Sequence, residues 1–209
     1  MLGRILSVNV GRVRRVEHHG RTAETGIWKA PTPGRVTLRG VNLEGDDQAD
    51  RTVHGGPDKA VYAYGRNDYE WWEGEFAQEV PPGTFGENLT LSGIDLNAAV
   101  VGERWSVGST VLEVRQPRSP CWKLGLRMGD SHFPARFGAA GRPGAYLAVV
   151  TEGDLGAGNE VVLVARPGHG VTIGLVQQAF DDPSLAPTLL RAPELPAGLR
   201  RWVSSASGC

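Results

Sequence analysis

The sequence predicts a mainly β fold made of short strands joined by many turns. Twenty-nine glycines and 14 prolines among 209 residues favour frequent chain reversals and short elements. The apolar residues fall in brief runs bounded by glycine and proline, a pattern typical of strands. Charged residues make up 22% of the chain and the formal net charge is −1, which excludes a basic field able to hold a nucleic acid polymer.

The chain also predicts a protein of the reducing cytoplasm. No apolar run approaches the roughly 20 residues that a membrane-spanning helix needs, and the first 15 residues lack the apolar stretch of a secretory signal. Of the two cysteines, Cys209 is the last residue, so the sequence offers no disulfide framework.

Strands and one helix are predicted in the first half of the chain. Apolar content predicts strands over Met1–Val10, Arg35–Val41 and Ala60–Tyr64. Between the first two strands, the polar stretch Val13–Gly26 predicts a solvated loop. The segment Arg66–Glu79 predicts a helix.

The predicted helix has both a start signal and an apolar face. Asn67 is a residue type that caps helix N-termini. Tyr69, Trp72 and Phe76 follow at i, i+3 and i+7 spacing and form one stripe. Core packing explains this stripe better than a ligand site does.

The second half predicts two strand pairs. Val100–Val107 and Ser109–Arg115 have the composition and spacing of a hairpin. Ala145–Thr151 and Glu160–Ala165 are predicted strands, joined by a turn over Gly153–Asn159.

A change of composition at Arg166 divides the chain into two predicted domains, residues 1–165 and 166–209. After this point the apolar spacing becomes helical, and Pro183, Pro193 and Pro196 separate three short helices. A bundle this small needs docking or a partner to be stable.

Cys121 is the strongest candidate for a reactive group. It follows a predicted strand and a rigid turn that contains Pro117 and Pro120. Arg118 and Lys123 bring two positive charges near its sulfur, and cations favour the thiolate that binds metals and attacks electrophiles. The alternative is a small buried hydrophobic residue, the common role of a lone cysteine.

Two loops carry unusual chemistry. Asn42–Lys59 is dense in charged residues. Within it, His54 precedes Gly55, and because glycine has no side chain, the backbone there can approach a ligand closely. Its acidic residues lack the spacing of a calcium loop. In Pro81–Leu91, glycine amides next to Asn88 are suited to oxyanions.

Five stretches in a fixed order resemble the MOSC domain family, named after the C-terminal domain of molybdenum-cofactor sulfurase, in its stand-alone bacterial form. The stretches are TGIWK (Thr25–Lys29), LEGDDQAD with VHGGPDKAVYAY (Leu43–Tyr64), FGENLT (Phe85–Thr90), VGERWSVG (Val101–Gly108) and QPRSPCWKL (Gln116–Leu124). The resemblance implies a distorted, mostly antiparallel β-barrel of the pyruvate-kinase-barrel type, with a few helices and a C-terminal three-helix appendage.

The resemblance also implies a molybdenum cofactor, a molybdopterin whose dithiolene sulfurs hold the metal. Cys121 is then a thiolate ligand to molybdenum, or a carrier of sulfur for it, and His54 donates to an oxo group or moves a proton. Residues of the matching stretches that can hold the pterin and its phosphate are Lys29, Arg51, Lys59, Asn88, Arg118 and Lys123.

The implied activity is reduction of small N-hydroxylated compounds such as hydroxylaminopurine bases. Because the sequence has no flavin, haem or iron–sulfur motif, electrons are expected from a separate electron-transfer protein. A homodimer is left open.

Three rival functions are also consistent with these residues. Cys121 could carry a persulfide for assembly of a metal–sulfur centre, or the protein could bind the cofactor without turnover. Pyridoxal phosphate would need a Schiff-base lysine, and no local pattern distinguishes Lys29, Lys59 or Lys123 for that role.

Overall fold

The computed structural model describes residues 2–49 and 55–206. Two predicted site residues, Arg51 and His54, lie outside the described residues, so their roles stay predictions. Among the described helices, none is long and apolar enough to cross a membrane.

The strands are short, as the many turn residues predict. In chain order they are β1 (Gly3–Val10), β2 (Arg14–His18), β3 (Arg21–Thr25), β4 (Ala30–Pro31), β5 (Arg35–Arg39), β6 (Asn42–Leu43), β7 (Val61–Gly65), β8 (Leu89–Ser92), β9 (Arg104–Val107), β10 (Thr110–Gln116), β11 (Ala145–Thr151), β12 (Gly153–Gly156) and β13 (Glu160–Ala165).

Seven of these strands close into a mixed β-barrel, which confirms the predicted fold class. The order around the ring is β1, β13, β9, β10, β11, β7 and β8, and β8 pairs with β1 again. Inward-facing residues such as Leu112, Val114 and Leu147 are fully buried. Closure leaves these strands without free edges inside the ring.

One pair in the ring is parallel, and its connection explains why. Ala63 on β7 lies opposite Leu89 on β8 with both strands running the same way. A parallel pair needs a long crossover instead of a tight turn. Helix α1 (Arg66–Phe76) lies within that crossover.

The remaining helices follow the barrel strands. They are α2 (Trp122–Met128), α3 (Phe133–Ala139), α4 (Ile173–Asp181), α5 (Ala186–Leu189) and α6 (Ala197–Ala206). In α1 the predicted stripe packs inward, with Tyr69 and Trp72 buried. The predicted cap is wrong: Gly65 precedes the helix, and no side chain of the described residues makes a capping hydrogen bond there.

Two segments predicted as loop or turn are paired strands. Val13–Gly26 contains the β2–β3 hairpin, in which Arg14 lies opposite Thr25. Both hairpin strands are mostly exposed, so the sequence has no apolar alternation to reveal them. The predicted turn Gly153–Asn159 begins with β12, which pairs with β5.

Two groups of buried side chains hold the molecule together. The larger fills the barrel and continues to residues of the tail, including Val171, Ile173 and Leu189. Ile173 N donates to Ala99 O over 2.9 Å, which ties the tail to the barrel. The smaller is aromatic and packs α1 and α3 against β7. The boundary at residue 166 stays a prediction.

Candidate cofactor-binding site

A cavity at one end of the barrel collects six predicted site residues. Its empty volume is about 610 Å³, a figure that includes open solvent at the mouth. The predicted residues in its wall are Lys29, Lys59, Asn88, Arg118, Cys121 and Lys123. They come from segments far apart in sequence, which the barrel brings to one place.

Cys121 is presented by the junction between β10 and α2. The strand ends at Gln116, the proline-containing turn follows, and Cys121 occupies the N-cap position of α2 in an extended conformation. Its thiol is free and the residue is half-buried. Cys121 therefore opens to the cavity and is not the buried hydrophobic residue of the alternative interpretation.

Arg118 places a buried positive charge in the cavity wall. The residue is 6% exposed, and its guanidinium donates to Phe85 O and lies 4.9 Å from the centre of the Tyr62 ring. Among the described residues, no carboxylate forms an ion pair with it. Because a buried charge without a counter-ion is costly, Arg118 favours an anionic ligand in this cavity.

The Tyr62 ring that supports Arg118 is itself fixed. Its hydroxyl donates to Pro143 O over 2.8 Å. Burial raises the pKa of Tyr62 far above its usual value, so the hydroxyl stays neutral. The guanidinium thus rests on a ring held at both ends, by β7 and by this hydrogen bond.

Lys29 is paired within the wall of the cavity. Its ammonium forms a buried ion pair with Asp46, and Asp46 also accepts from Gly11 N over 2.8 Å. Burial lowers the pKa of Lys29, and the charge of Asp46 offsets part of this effect. An ammonium with a lowered pKa releases its proton more readily, which suits proton transfer.

Asn88 holds Asp46 of this ion pair by a hydrogen bond. Its Nδ2 donates to the second oxygen of Asp46 over 2.9 Å and to Asn9 O over 3.3 Å. Its Oδ1 accepts from Tyr62 N over 3.1 Å. Since the whole amide is engaged within the protein, direct contact of Asn88 with a ligand stays a prediction.

Lys59 and Lys123 line the cavity from two different sequence motifs. Lys59 Nζ lies 5.9 Å from the centre of the Tyr146 ring, and partial burial lowers the pKa of Lys59. Lys123 Nζ lies 5.9 Å from the centre of the Trp122 ring. Both side chains can turn a cation toward an anionic group.

Sequence reasoning gave no role to Asp46, Tyr62 or Tyr146, although all three line the cavity. Asp46 lies in a cluster of acidic residues, and its partners Lys29 and Asn88 lie far away in the chain. The only signal for Asp46 in the sequence was its place in a stretch that resembles the MOSC family. That stretch contains several acidic residues and does not show which of them points into the cavity.

A model of the MOSC domain matches residues 50–162. The chain belongs to the MOSC domain family. The match includes Cys121 and most of the barrel, and it ends in β13.

Curated relatives agree with this assignment. The chain is 36% identical to "Uncharacterized protein YflK" of Bacillus subtilis, over 81% of this chain and 76% of that protein. It is 35% identical to "Protein YiiM" of Escherichia coli, over 68% of this chain and 65% of that protein. It is 30% identical to a protein named "Reductase" of Gibberella moniliformis, over 79% of this chain but only 30% of that protein.

Solved structures share the fold over nearly the whole chain. YiiM from Geobacillus stearothermophilus superposes with a TM-score of 0.80 at 26% identity, covering 98% of each chain. The coverage includes the C-terminal helices. This MOSC protein is therefore similar to a stand-alone YiiM in its complete architecture.

Proposed function

We propose that this MOSC protein is a molybdenum-cofactor-dependent reductase of small N-hydroxylated compounds, with the Cys121 thiolate as the protein ligand to molybdenum. The observation that carries the proposal is one cavity holding a free, half-buried thiol and a buried guanidinium that lacks a carboxylate partner among the described residues. A soft thiolate suits a metal already held by sulfur.

The residues of the cavity fit the implied cofactor. Molybdopterin joins a pterin rich in nitrogen and oxygen atoms to an anionic phosphate, so it needs both hydrogen-bonding groups and cations. Arg118 and Lys123 supply cations near Cys121.

Reduction of R–NH–OH to R–NH₂ and water takes two electrons and two protons. When bound, the cofactor would supply the two-electron redox chemistry at molybdenum. Lys29 Nζ would hold a proton at the cavity wall, and its lowered pKa would make that proton easier to give. We propose proton donation for His54 as well, although this residue is not among those that the structure describes.

The proposal includes a separate electron-transfer protein and a cytoplasmic location. A relative whose name is "Reductase" gives general support to redox chemistry. The chain spans under a third of that relative, so its activity does not transfer directly.

The test is to purify the protein from a host that makes the cofactor and to quantify molybdenum and pterin per chain. We expect about one of each in wild type, and at least a tenfold loss of molybdenum in Cys121→Ala, because a metal–thiolate bond is removed. Cys209→Ala removes the other cysteine and serves as the matched control that keeps its molybdenum.

The same preparations separate the rival functions. A labile extra sulfur on Cys121 without metal would favour the sulfur carrier. Bound cofactor without turnover of a hydroxylaminopurine, supplied with a chemical reductant, would favour a binding module. Equal molybdenum in wild type and Cys121→Ala would overturn the assignment of Cys121.

A further inference from the structure

Trp122 is an exposed aromatic residue that lies in the chain between two residues of the cavity wall. It is the first residue of α2, and its neighbours on either side, Cys121 and Lys123, both line the cavity. Its exposed fraction is 36%. The indole therefore belongs to the residue that directly follows the candidate metal ligand, close in the chain to the cavity wall.

One face of this indole is already covered by another ring. The His18 imidazole stacks on Trp122 with centroids 4.3 Å apart and planes only 13° from parallel. Near-parallel stacking of flat rings at this distance is a favourable arrangement. The contact shows that this face of Trp122 accepts a flat nitrogen-containing ring.

The element that carries His18 is a separate hairpin. His18 ends β2 at the turn formed by His19 and Gly20, both of which have positive φ. Strands β2 and β3 pair with each other and with no other described strand. Most of their side chains are exposed, so few buried contacts oppose movement of the tip.

The base of the same hairpin lies at the cavity. Thr25, the last residue of β3, is part of the cavity wall. The Arg14 guanidinium lies 4.8 Å from the centre of the ring of Trp28, the residue before Lys29. The hairpin therefore connects the cavity wall, at Thr25, to Trp122, at His18.

We propose that the face of Trp122 now covered by His18 is the stacking site for a flat heteroaromatic ring of the substrate, and that the hairpin tip moves aside to admit it. The identity of the reacting group rests on the proposed function, whereas binding of the ring does not. The site selects ring-bearing N-hydroxylated compounds, such as purine-type bases, over aliphatic ones.

Two consequences distinguish this site from a structural contact. Stacking of a base on an aromatic side chain changes binding by about 5- to 150-fold. His18 competes with the ligand for the same face, so its removal should strengthen binding. If the two rings met only to stabilise the hairpin, neither change would alter affinity for a base.

The experiment measures binding of 2-aminopurine to the full-length protein by titration calorimetry, with and without bound cofactor. We expect Trp122→Leu to weaken binding at least fivefold, and His18→Ala to strengthen it by up to a few fold. Trp122→Phe keeps a smaller ring and should stay within a few fold of wild type.

Trp71→Leu is the matched control, because Trp71 has the same 36% exposure but lies on α1 against Trp72. It should bind 2-aminopurine as wild type does. Unchanged affinity in Trp122→Leu, or an unchanged or lowered affinity in His18→Ala, would overturn the proposal.

Turnover gives a second measurement on the same variants. In Trp122→Leu, kcat/KM should fall for a hydroxylaminopurine and stay unchanged for an aliphatic N-hydroxylated compound, with molybdenum content as in wild type. An equal fall for both compounds would contradict selection by the ring. If wild type reduces neither compound, the proposed reductase activity fails, while the calorimetry still decides whether Trp122 binds the ring.

Discussion

Glu87 is a buried carboxylate between two residues of the cavity wall, Gly86 and Asn88, and its two oxygens have different surroundings. Oε1 accepts from Gly83 N over 2.6 Å and from Thr90 Oγ1 over 2.8 Å, and the Tyr69 hydroxyl also donates to it. Oε2 is buried and has no hydrogen-bond partner among the residues that the structure describes. Burial raises the pKa of Glu87 above its usual value, and these hydrogen bonds offset part of the shift.

Glu87→Gln should therefore change how stability depends on pH. A carboxyl whose pKa is raised by folding contributes stability below its unfolded pKa near 4.5, and this contribution is lost as pH rises through the folded pKa. Glutamine cannot ionise. We expect the variant to gain stability relative to wild type as pH rises from about 4 to 8, measured by urea unfolding at each pH.

Glu73→Gln is a control with the opposite sign. Hydrogen bonds from Arg66, and from Val80 N, lower the pKa of Glu73. The stability that Glu73 contributes is present above pH about 4.5, its unfolded pKa, and is lost as pH falls through the folded pKa. Should both variants shift stability in the same direction with pH, the assignment of a raised pKa to Glu87 would be wrong.

At the scale of single residues, the sequence singled out Cys121, which lines the cavity, but gave no role to Asp46. The chemical role of Cys121 stays a prediction. Cys121 is distinguished by its residue type, because the chain has only two cysteines, and by the cations and prolines near it in the sequence. Asp46 lies among other acidic residues in the chain, and its role depends on an ion pair with Lys29 and a hydrogen bond from Gly11. Contacts between distant segments leave no local pattern.

At the scale of elements, the loop between α1 and β8 is held against the segment before β4 by a glycine. Gly86 has φ of +77°, and a Cβ there would lie 2.7 Å from Ile27 Cγ1. Phe85 O, the acceptor for Arg118, and Asn88 lie on either side. This contact fixes the loop that supports the cavity wall.

Gly86→Ala should lower the free energy of unfolding by more than the backbone strain of an alanine at positive φ would. Gly34 has a nearly equal φ of +78°, but a Cβ added there would meet no atom of the described residues within 4 Å. Gly34→Ala should therefore cost about 1–2 kcal/mol, from the backbone conformation alone. Gly86→Ala should cost about 1–3 kcal/mol more because it also overpacks Ile27. Equal free energies of unfolding for the two variants, measured in urea, would contradict the close contact.

The elements also show where periodicity is informative. The stripe of α1 was predictable because one of its faces is buried. The β2–β3 hairpin was missed because both of its faces are largely exposed, and α3 was missed because glycine and arginine interrupt its short apolar pattern. Periodicity reports burial, so elements without a clear buried face give no signal.

At the scale of the whole molecule, the barrel and the C-terminal helices share one core. Ile173, Val176 and Leu189 are fully buried in the same cluster as barrel residues such as Trp105 and Leu112. A shared core couples the stability of its parts. We therefore expect one cooperative unfolding transition for the two predicted domains.

Leu189→Ala tests this coupling. It should lower the free energy of unfolding by about 2–5 kcal/mol and shift the whole transition, measured by tryptophan fluorescence and circular dichroism in urea. Its neighbour Leu190 is 43% exposed, so Leu190→Ala should stay within about 0.5 kcal/mol of wild type. Two separated transitions would show that residues 166–209 unfold as a domain of their own.

The β-rich class, the helical tail and, through its motifs, the family could be predicted from the sequence alone. These are carried by residue type, spacing and local periodicity, which survive in a linear chain. The tertiary structure alone decided the parallel pair within the barrel, the ion pair between Lys29 and Asp46, and the contact of His18 with Trp122. Each of these joins segments distant in the chain, and their meeting depends on how the barrel closes.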